Sequence, residues 1–341
     1  PYRYAKLVQF DSGGSMKVRV VPCQPHCFLY GGFDMQMYRT MEALRKQGID
    51  AEPLDYWSRD QSFDVLHVWG LESRHQNVIR LAKQYNKKVI ITPLLPYFGW
   101  GSALRHLAGL IEGRRRPMLD ILSHVDKLLV VNELQAEFAI RVLRVPTQKI
   151  SIIPTILDIN FFNTPENPIK NDCGFYFVCA GNILPRKNQL RLAHAAIQTG
   201  VKVVFVGNVM GGYQAYTDKF EKLVESSNLL TWHKWLSNED LILLLKNSSG
   251  VTIPSFQETQ PASGLEASAL GKPLLLGDCK YATQKYFKNS LLCDPSSVRS
   301  IASGLSKIIE NPLLYVPPKN LINDCHPLSV GIKLKSILNS L

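Results

Sequence analysis

Short apolar runs alternate with longer amphipathic stretches along almost all of this chain, and that alternation leaves few folds open. In the first half, runs at Lys17–Val21, Val65–Val68, Val89–Thr92 and Lys127–Val131 read as buried strands. Met35–Gln47, Glu72–Tyr85 and Glu133–Leu143 read as the helices between them. The second half repeats the scheme. Strands are expected at Phe175–Ala180, Val201–Val206, Gly250–Pro254 and Pro273–Leu276. Helices are expected at Gln189–Thr199, Gln214–Ser226, Asn238–Lys246, Ser263–Leu270 and Ser297–Ile309. Strands joined through helices lie parallel, because a helical crossover returns the chain to the same end of the sheet. The halves are separated by FFNTPENPIKND, Phe161 to Asp172, rich in Pro, Asn and charge and without apolar period, which is the composition of a linker.

The expected fold is therefore α/β, with two doubly wound Rossmann-like domains facing a cleft. The domains are residues 16–160 and 173–325, with a linker at 161–172 and a C-terminal helix at 326–341 that packs on either domain. Residues 1–15, which contain Ser-Gly-Gly-Ser, read as an appended tag or linker before a natural start at Met16. Ligands of doubly wound sheets gather at the carboxyl ends of the strands, so two such sheets face to face make one binding cleft.

Composition narrows the partners. The 341 residues carry a formal net charge of +11, an excess that attracts polyanions such as nucleic acid, anionic lipid or phosphorylated substrates. No zinc-finger spacing, aromatic ribonucleoprotein signature or basic zipper is present, which disfavours nucleic acid. No apolar run is long enough to span a bilayer, and no secretory signal is visible. The seven cysteines are odd in number and irregular in spacing, as suits a reducing cytoplasm rather than a disulfide framework. Cys23, His26 and Cys27 lie together, but no second pair completes a metal site.

Three stretches carry chemistry. In SFQETQPASGLEASALGKP, Glu258 sits on the loop after a strand and Glu266 in the first turn expected of the following helix. A carboxylate there can accept two hydrogen bonds from a vicinal diol, although dipole complementation and simple solvation are the competing readings. In CAGNILPRKNQL, a strand ends at Ala180, Gly181 turns the chain, and Arg186 and Lys187 precede a helix. Two cations at a helix N-terminus are unfavourable unless a ligand such as a diphosphate compensates them; otherwise they are a solvated basic pair. In CQPHCFLYGGFDMQMY, Gly31 and Gly32 follow the first strand and allow backbone to approach a ligand and to take unusual dihedrals.

Together these stretches resemble the family 4 retaining glycosyltransferases of the GT-B fold, of the bacterial surface-polysaccharide type. The match rests on Gly31-Gly32, on PRKN at Pro185–Asn188, and on ETQPASGLEASALGKP with its Glu-x7-Glu spacing. The resemblance implies that Arg186 and Lys187 bind the donor diphosphate, Glu258 contacts the donor sugar and Glu266 holds the ribose hydroxyls. It implies that the backbone of Gln260, Pro261 and Ala262, with Thr259 and Gly181, meets sugar or phosphate. Trp235 would grip the base, and Gly31 and Gly32 would approach from the other domain. No Asp-x-Asp motif occurs, in agreement with a reaction that needs no metal or other cofactor beyond the nucleotide-sugar co-substrate. The sequence departs from the family at Pro261, often Gly and here lacking an N–H donor. It also lacks the His often found after the fourth strand, for which His67 is the nearest substitute.

The partners implied are a nucleotide-diphospho-sugar donor and a glycan or lipid-linked acceptor, as in lipopolysaccharide synthesis. Pro96–Pro117 adds a membrane expectation. Tyr97, Phe98 and Trp100 precede an apolar stretch and then Arg114, Arg115 and Arg116, as in a peripheral contact with an anionic cytoplasmic leaflet. An ordinary packed helix accounts for the same pattern. Two other functions compete: a GT-B sugar-nucleotide epimerase, and an inactive scaffold that binds membrane or a partner.

Overall fold

The structure, a computed structural model, describes residues 15–28, 31–95, 116–163 and 175–341. In the N-terminal domain, β1 (Lys17–Val21), α1 (Gly32–Arg45), β2 (Asp50–Pro53), β3 (Val65–Trp69), α2 (Gln76–Gln84) and β4 (Lys88–Thr92) are followed by α3 (Arg116–His124), β5 (Lys127–Val130), α4 (Glu133–Arg141) and β6 (Ile150–Ile152). A short helix, α5 (Asn160–Asn163), precedes the second domain. There the order is β7 (Tyr176–Ala180), α6 (Gln189–Thr199), β8 (Lys202–Val206), α7 (Gln214–Glu225), β9 (Leu230–His233), α8 (Asn238–Asn247), β10 (Gly250–Ile253), α9 (Ala262–Ala269), β11 (Leu274–Gly277), β12 (Leu291–Cys293) and α10 (Val298–Glu310). The last helix is α11 (Pro327–Asn339).

Each domain holds a six-stranded parallel sheet, ordered β2-β1-β3-β4-β5-β6 and β12-β11-β10-β7-β8-β9. The eight strands legible in the sequence are the eight inner strands. The four that the apolar runs did not announce, β2, β6, β9 and β12, are the four sheet edges. An edge strand is covered on fewer sides, so it needs fewer apolar residues; β2 buries only Ala51 and even holds Pro53. Strand order reverses at β1/β3 in one sheet and at β7/β10 in the other, so loops diverge there and leave a crevice at the carboxyl ends.

The expected linker begins later than its composition suggests. Phe161, counted in it, is fully buried beside Leu157 in the core of the second domain. The polar residues after it hide an aromatic anchor. Residues 164–172 of that stretch lie outside the described residues.

The C-terminal helix chooses the N-terminal domain. Val330, Leu334 and Leu338 recur every four residues and join the core formed by Val18, Met37, Met41 and Leu44. Gly331 faces α1 so closely that a Cβ would lie 2.8 Å from the Ala43 carbonyl oxygen, and Lys335 Nζ donates to Gln47 O at 2.8 Å. Gly331→Val keeps helix propensity similar but forces these backbones apart. We expect a loss on the order of 2 kcal/mol in urea denaturation; an unchanged midpoint would contradict this docking.

Candidate active site at the domain boundary

The end of β7 and the end of β10 are neighbours at the strand-order reversal of the second sheet. The chain leaves β7 through Gly181, whose φ is +149°, a value that side-chain-bearing residues rarely adopt. A Cβ there would sit 3.3 Å from Lys187 Nζ. Gly207, at the end of β8, approaches Gly181 still more closely, with a Cβ position only 2.2 Å from the Gly181 oxygen. The basic turn Pro185–Lys187 ends at Asn188, in the left-handed conformation with φ 65°. Asn188 is buried, and its Nδ2 donates to the carbonyls of Pro254 (3.0 Å) and Pro295 (2.6 Å). That pair of bonds fastens the basic turn to the end of β10.

Lys187 Nζ lies 2.6 Å from Glu258 Oε1, and Arg186 Nη1 lies 3.3 Å from Glu258 Oε2. Ser255 Oγ also donates to Oε1, at 2.8 Å. Glu258 is 7% exposed, so its charge needs these partners. The sequence suggested that a ligand offsets the two cations. The chain itself supplies the offset: one carboxylate lies between them. Two cations and one anion leave the cluster with an excess positive charge. Oε2, engaged only by Arg186 in this cluster, retains capacity for a hydroxyl.

Glu266 is on the second turn of α9 rather than the first, because the helix begins at Ala262. It is 8% exposed, and burial pushes its pKa up to about 7, opposed by the Arg39 guanidinium and reinforced by Asp158. Arg39 comes from α1 of the other domain, and its Nη2 lies 3.7 Å from Asp158. Pro261 caps α9 without a side-chain bond. Its carbonyl accepts from Gly264 (3.0 Å) and Leu265 (3.2 Å), while the N–H groups of Ala262 and Ser263 have no acceptor among the described residues. Pro261 offers no N–H, but two donors one and two residues later stand at the positive end of the helix dipole.

Residues 161–323 match the family described as glycosyl transferases group 1. A curated relative is the Escherichia coli UDP-Gal:alpha-D-GlcNAc-diphosphoundecaprenol alpha-1,3-galactosyltransferase, 27% identical over 221 residues. The match takes in 58% of this chain and 54% of that enzyme, so the chain spans about half the length of the relative. Among solved structures, Anabaena Alr3699/HepE in complex with UDP and glucose aligns with a TM-score of 0.73 at 13% identity, covering 96% of this chain and 100% of that one. Sucrose-phosphate synthase from Thermosynechococcus elongatus aligns with a TM-score of 0.71 at 16% identity, covering 95% and 98%. These likenesses establish the two-domain GT-B fold.

Within this two-domain fold the remaining expected residues divide. Gly31 is extended, with φ −160°, and a Cβ on Gly31 or Gly32 would meet nothing within 4 Å among the described residues. Neither unusual dihedrals nor internal packing requires these glycines; they leave open space over the start of α1. Gly32 borders a cavity of about 210 Å³ between the domains, with Gln36, His67 and Trp69 on one side and Thr259 and Gln260 on the other. His67 is buried, with Nε2 2.8 Å from Thr92 Oγ1, and desolvation lowers its pKa to about 3. It is a neutral imidazole at physiological pH, not a proton donor poised near neutrality. Trp235 is 78% exposed on the loop between β9 and α8, whereas Trp232 packs and donates to Gly207 O. Lys272, in the tail of the motif, is buried and donates to Ser248 O at 3.1 Å, a structural role. Trp100, Arg114 and Arg115 lie outside the described residues, and Arg116 opens α3. Arg39, Asn132, Asp158, Ser255 and Gln284 were not foreseen; no sequence motif singles them out.

The raised pKa has a consequence for stability. Below the unfolded value of 4.5 Glu266 is protonated in both states and costs nothing extra. As pH rises toward about 7 the folded state retains a proton the unfolded chain has lost, so stability falls across that window. Glu266→Gln removes the titration. We expect its stability relative to the parent to improve by up to about 3 kcal/mol between pH 5 and pH 8, at ~1.4 kcal/mol per unit. A pH-independent difference in urea denaturation would contradict a buried, unpaired carboxylate.

Proposed function

We propose that this chain is a retaining, metal-independent glycosyltransferase that moves a hexose from a nucleotide-diphospho-sugar to a glycan or lipid-linked acceptor. UDP-galactose is the first donor to test, on the strength of the E. coli relative. The observation that carries the reading is the cluster of Lys187, Glu258 and Arg186 at the strand-order reversal, beside the open N-terminus of α9.

In this reading the nucleotide diphosphate shares the two cations with Glu258. Arg186, about half exposed, offers a planar fork, and Lys187 a more enclosed point charge. Negative charge on the diphosphate grows as the glycosidic bond breaks, so fixed cations bind the transition state better than the ground state. The free N–H groups of Ala262 and Ser263 add two oriented donors. Glu266 accepts the ribose hydroxyls, for which it must be ionised, and Arg39 favours that form. The acceptor attacks from the face of the leaving phosphate, which takes its proton, so no protein nucleophile is used. The lipid-linked alternative places the basic N-terminal domain against an anionic leaflet. No helix among the described residues is long and apolar enough to cross a membrane.

Calorimetric titration with UDP tests the donor site. We expect binding to persist in EDTA and to tighten as pH rises through about 7, because ionised Glu266 accepts a hydrogen bond on each oxygen more strongly than the protonated form. A strict magnesium requirement would overturn the metal-free reading. Lys187→Ala is expected to lower kcat on the order of 100-fold while weakening the intact nucleotide-sugar donor much less. Loss of donor affinity with kcat unchanged would assign Lys187 to uniform binding instead.

A further inference from the structure

Three amide side chains meet where the two domains touch: Asn132 at the start of α4, Gln260 on the loop before α9, and Gln284 on the segment after β11. They are 2%, 9% and 5% exposed. Asn132 Nδ2 donates to Thr259 O (2.9 Å) and to Gln284 Oε1 (3.2 Å). Gln284 Nε2 donates to Thr259 O (2.8 Å) and to Tyr281 O (3.0 Å). Gln260 Nε2 donates to Gln284 Oε1 (2.9 Å) and more weakly to Val131 O (3.4 Å). The remaining oxygens are also used: Gln260 Oε1 accepts from Thr155 N at 2.8 Å, and Asn132 Oδ1 accepts from Gln135 N at 2.9 Å.

Every nitrogen and oxygen of the three amides therefore has a partner, and each nitrogen has two. Such a closed set works in one orientation only. Flipping any amide would set carbonyl oxygens against each other and leave buried N–H groups unpaired. The set also crosses the domain boundary. Asn132, Val131 and Thr155 belong to the N-terminal domain; Thr259, Gln260, Tyr281 and Gln284 belong to the second. Pro261 stiffens the same loop, since it fixes its own φ and restricts the residue before it to extended backbone. One and two residues further on stand the free N–H groups of Ala262 and Ser263.

We propose that Asn132 and Gln284 are positioning residues. They hold the Thr259–Gln260 loop in one register across the domain boundary, so that the Ala262 and Ser263 N–H groups meet the donor at the geometry the transition state needs. The inference rests on the proposed donor site. It adds that the N-terminal domain, through Asn132, sets the geometry of a loop belonging to the other domain. The cations and Glu266 are not part of the amide set, so ground-state affinity for the nucleotide depends on it only weakly.

Two variants test this. Asn132→Ser keeps an N-cap for α4 but cannot reach Thr259 O. Gln284→Met keeps length and removes all four bonds of that side chain. The probes are UDP for binding and UDP-galactose for turnover, measured well below each variant's melting temperature. We expect the UDP Kd to stay within about threefold and kcat to fall on the order of 10–100-fold, the effect of a small misplacement. Both changes release the same loop, so the double variant should lose no more than about threefold beyond the worse single one. Lowered melting temperatures with kcat unchanged would reduce the cluster to a structural contact and overturn the proposal. Multiplying losses in the double variant, or losses confined to UDP affinity, would overturn it as well. Failure of the wild type to bind UDP would instead refute the donor site itself, an arm separate from the variants.

Discussion

The carboxylate of Glu258, set between Lys187 and Arg186, is the interaction on which the rest of the site depends. It brings a turn after β7 and a loop after β10, about seventy residues apart in sequence, into one charged cluster. A nearly buried carboxylate without partners would be costly, and two cations at a helix start without an anion would repel each other. Each feature is tolerable because the other is present. The backbone conforms to the cluster: Gly181 takes a positive φ beneath Lys187, Gly207 presses against Gly181, and Asn188 ties the turn to Pro254.

Glu266 shows the opposite arrangement. It is equally buried, yet no side chain among the described residues pairs with it, and its proton is held to about pH 7. A protein selected for stability alone would replace it with an apolar residue. Retaining a poorly solvated acceptor at the domain boundary makes sense if a ligand supplies its hydrogen-bond donors, which is the usual way an active site departs from optimal stability. Arg39 and α11 both contribute here. The C-terminal helix packs on α1, the helix that carries Arg39 toward the second domain.

Much of this architecture was legible in the sequence because the inner strands are continuous apolar runs, and burial on both faces permits little else. Helix Gln189–Thr199 could be bounded at both ends, with Gly200 closing it in the left-handed conformation. Edge strands, the anchor Phe161 and the amide cluster were not legible. An edge strand has no obligatory apolar pattern, a single aromatic in a polar stretch carries no period, and Asn132, Gln260 and Gln284 are brought together only by the packing of two domains. The candidate residues Arg186, Lys187, Glu258 and Glu266 were singled out by their motif. Their wiring was not: a ligand was assigned the compensation that Glu258 provides, and Glu266 was placed one turn too early on its helix.

A crystal structure with UDP tests the central claim most directly. The account places the diphosphate within hydrogen-bonding distance of Lys187 Nζ and the Arg186 guanidinium, with the ribose hydroxyls on Glu266 and the N–H groups of Ala262 and Ser263 facing the ligand. UDP seated away from these groups, with the Lys187–Glu258 pair untouched and Glu266 uncontacted, would contradict it.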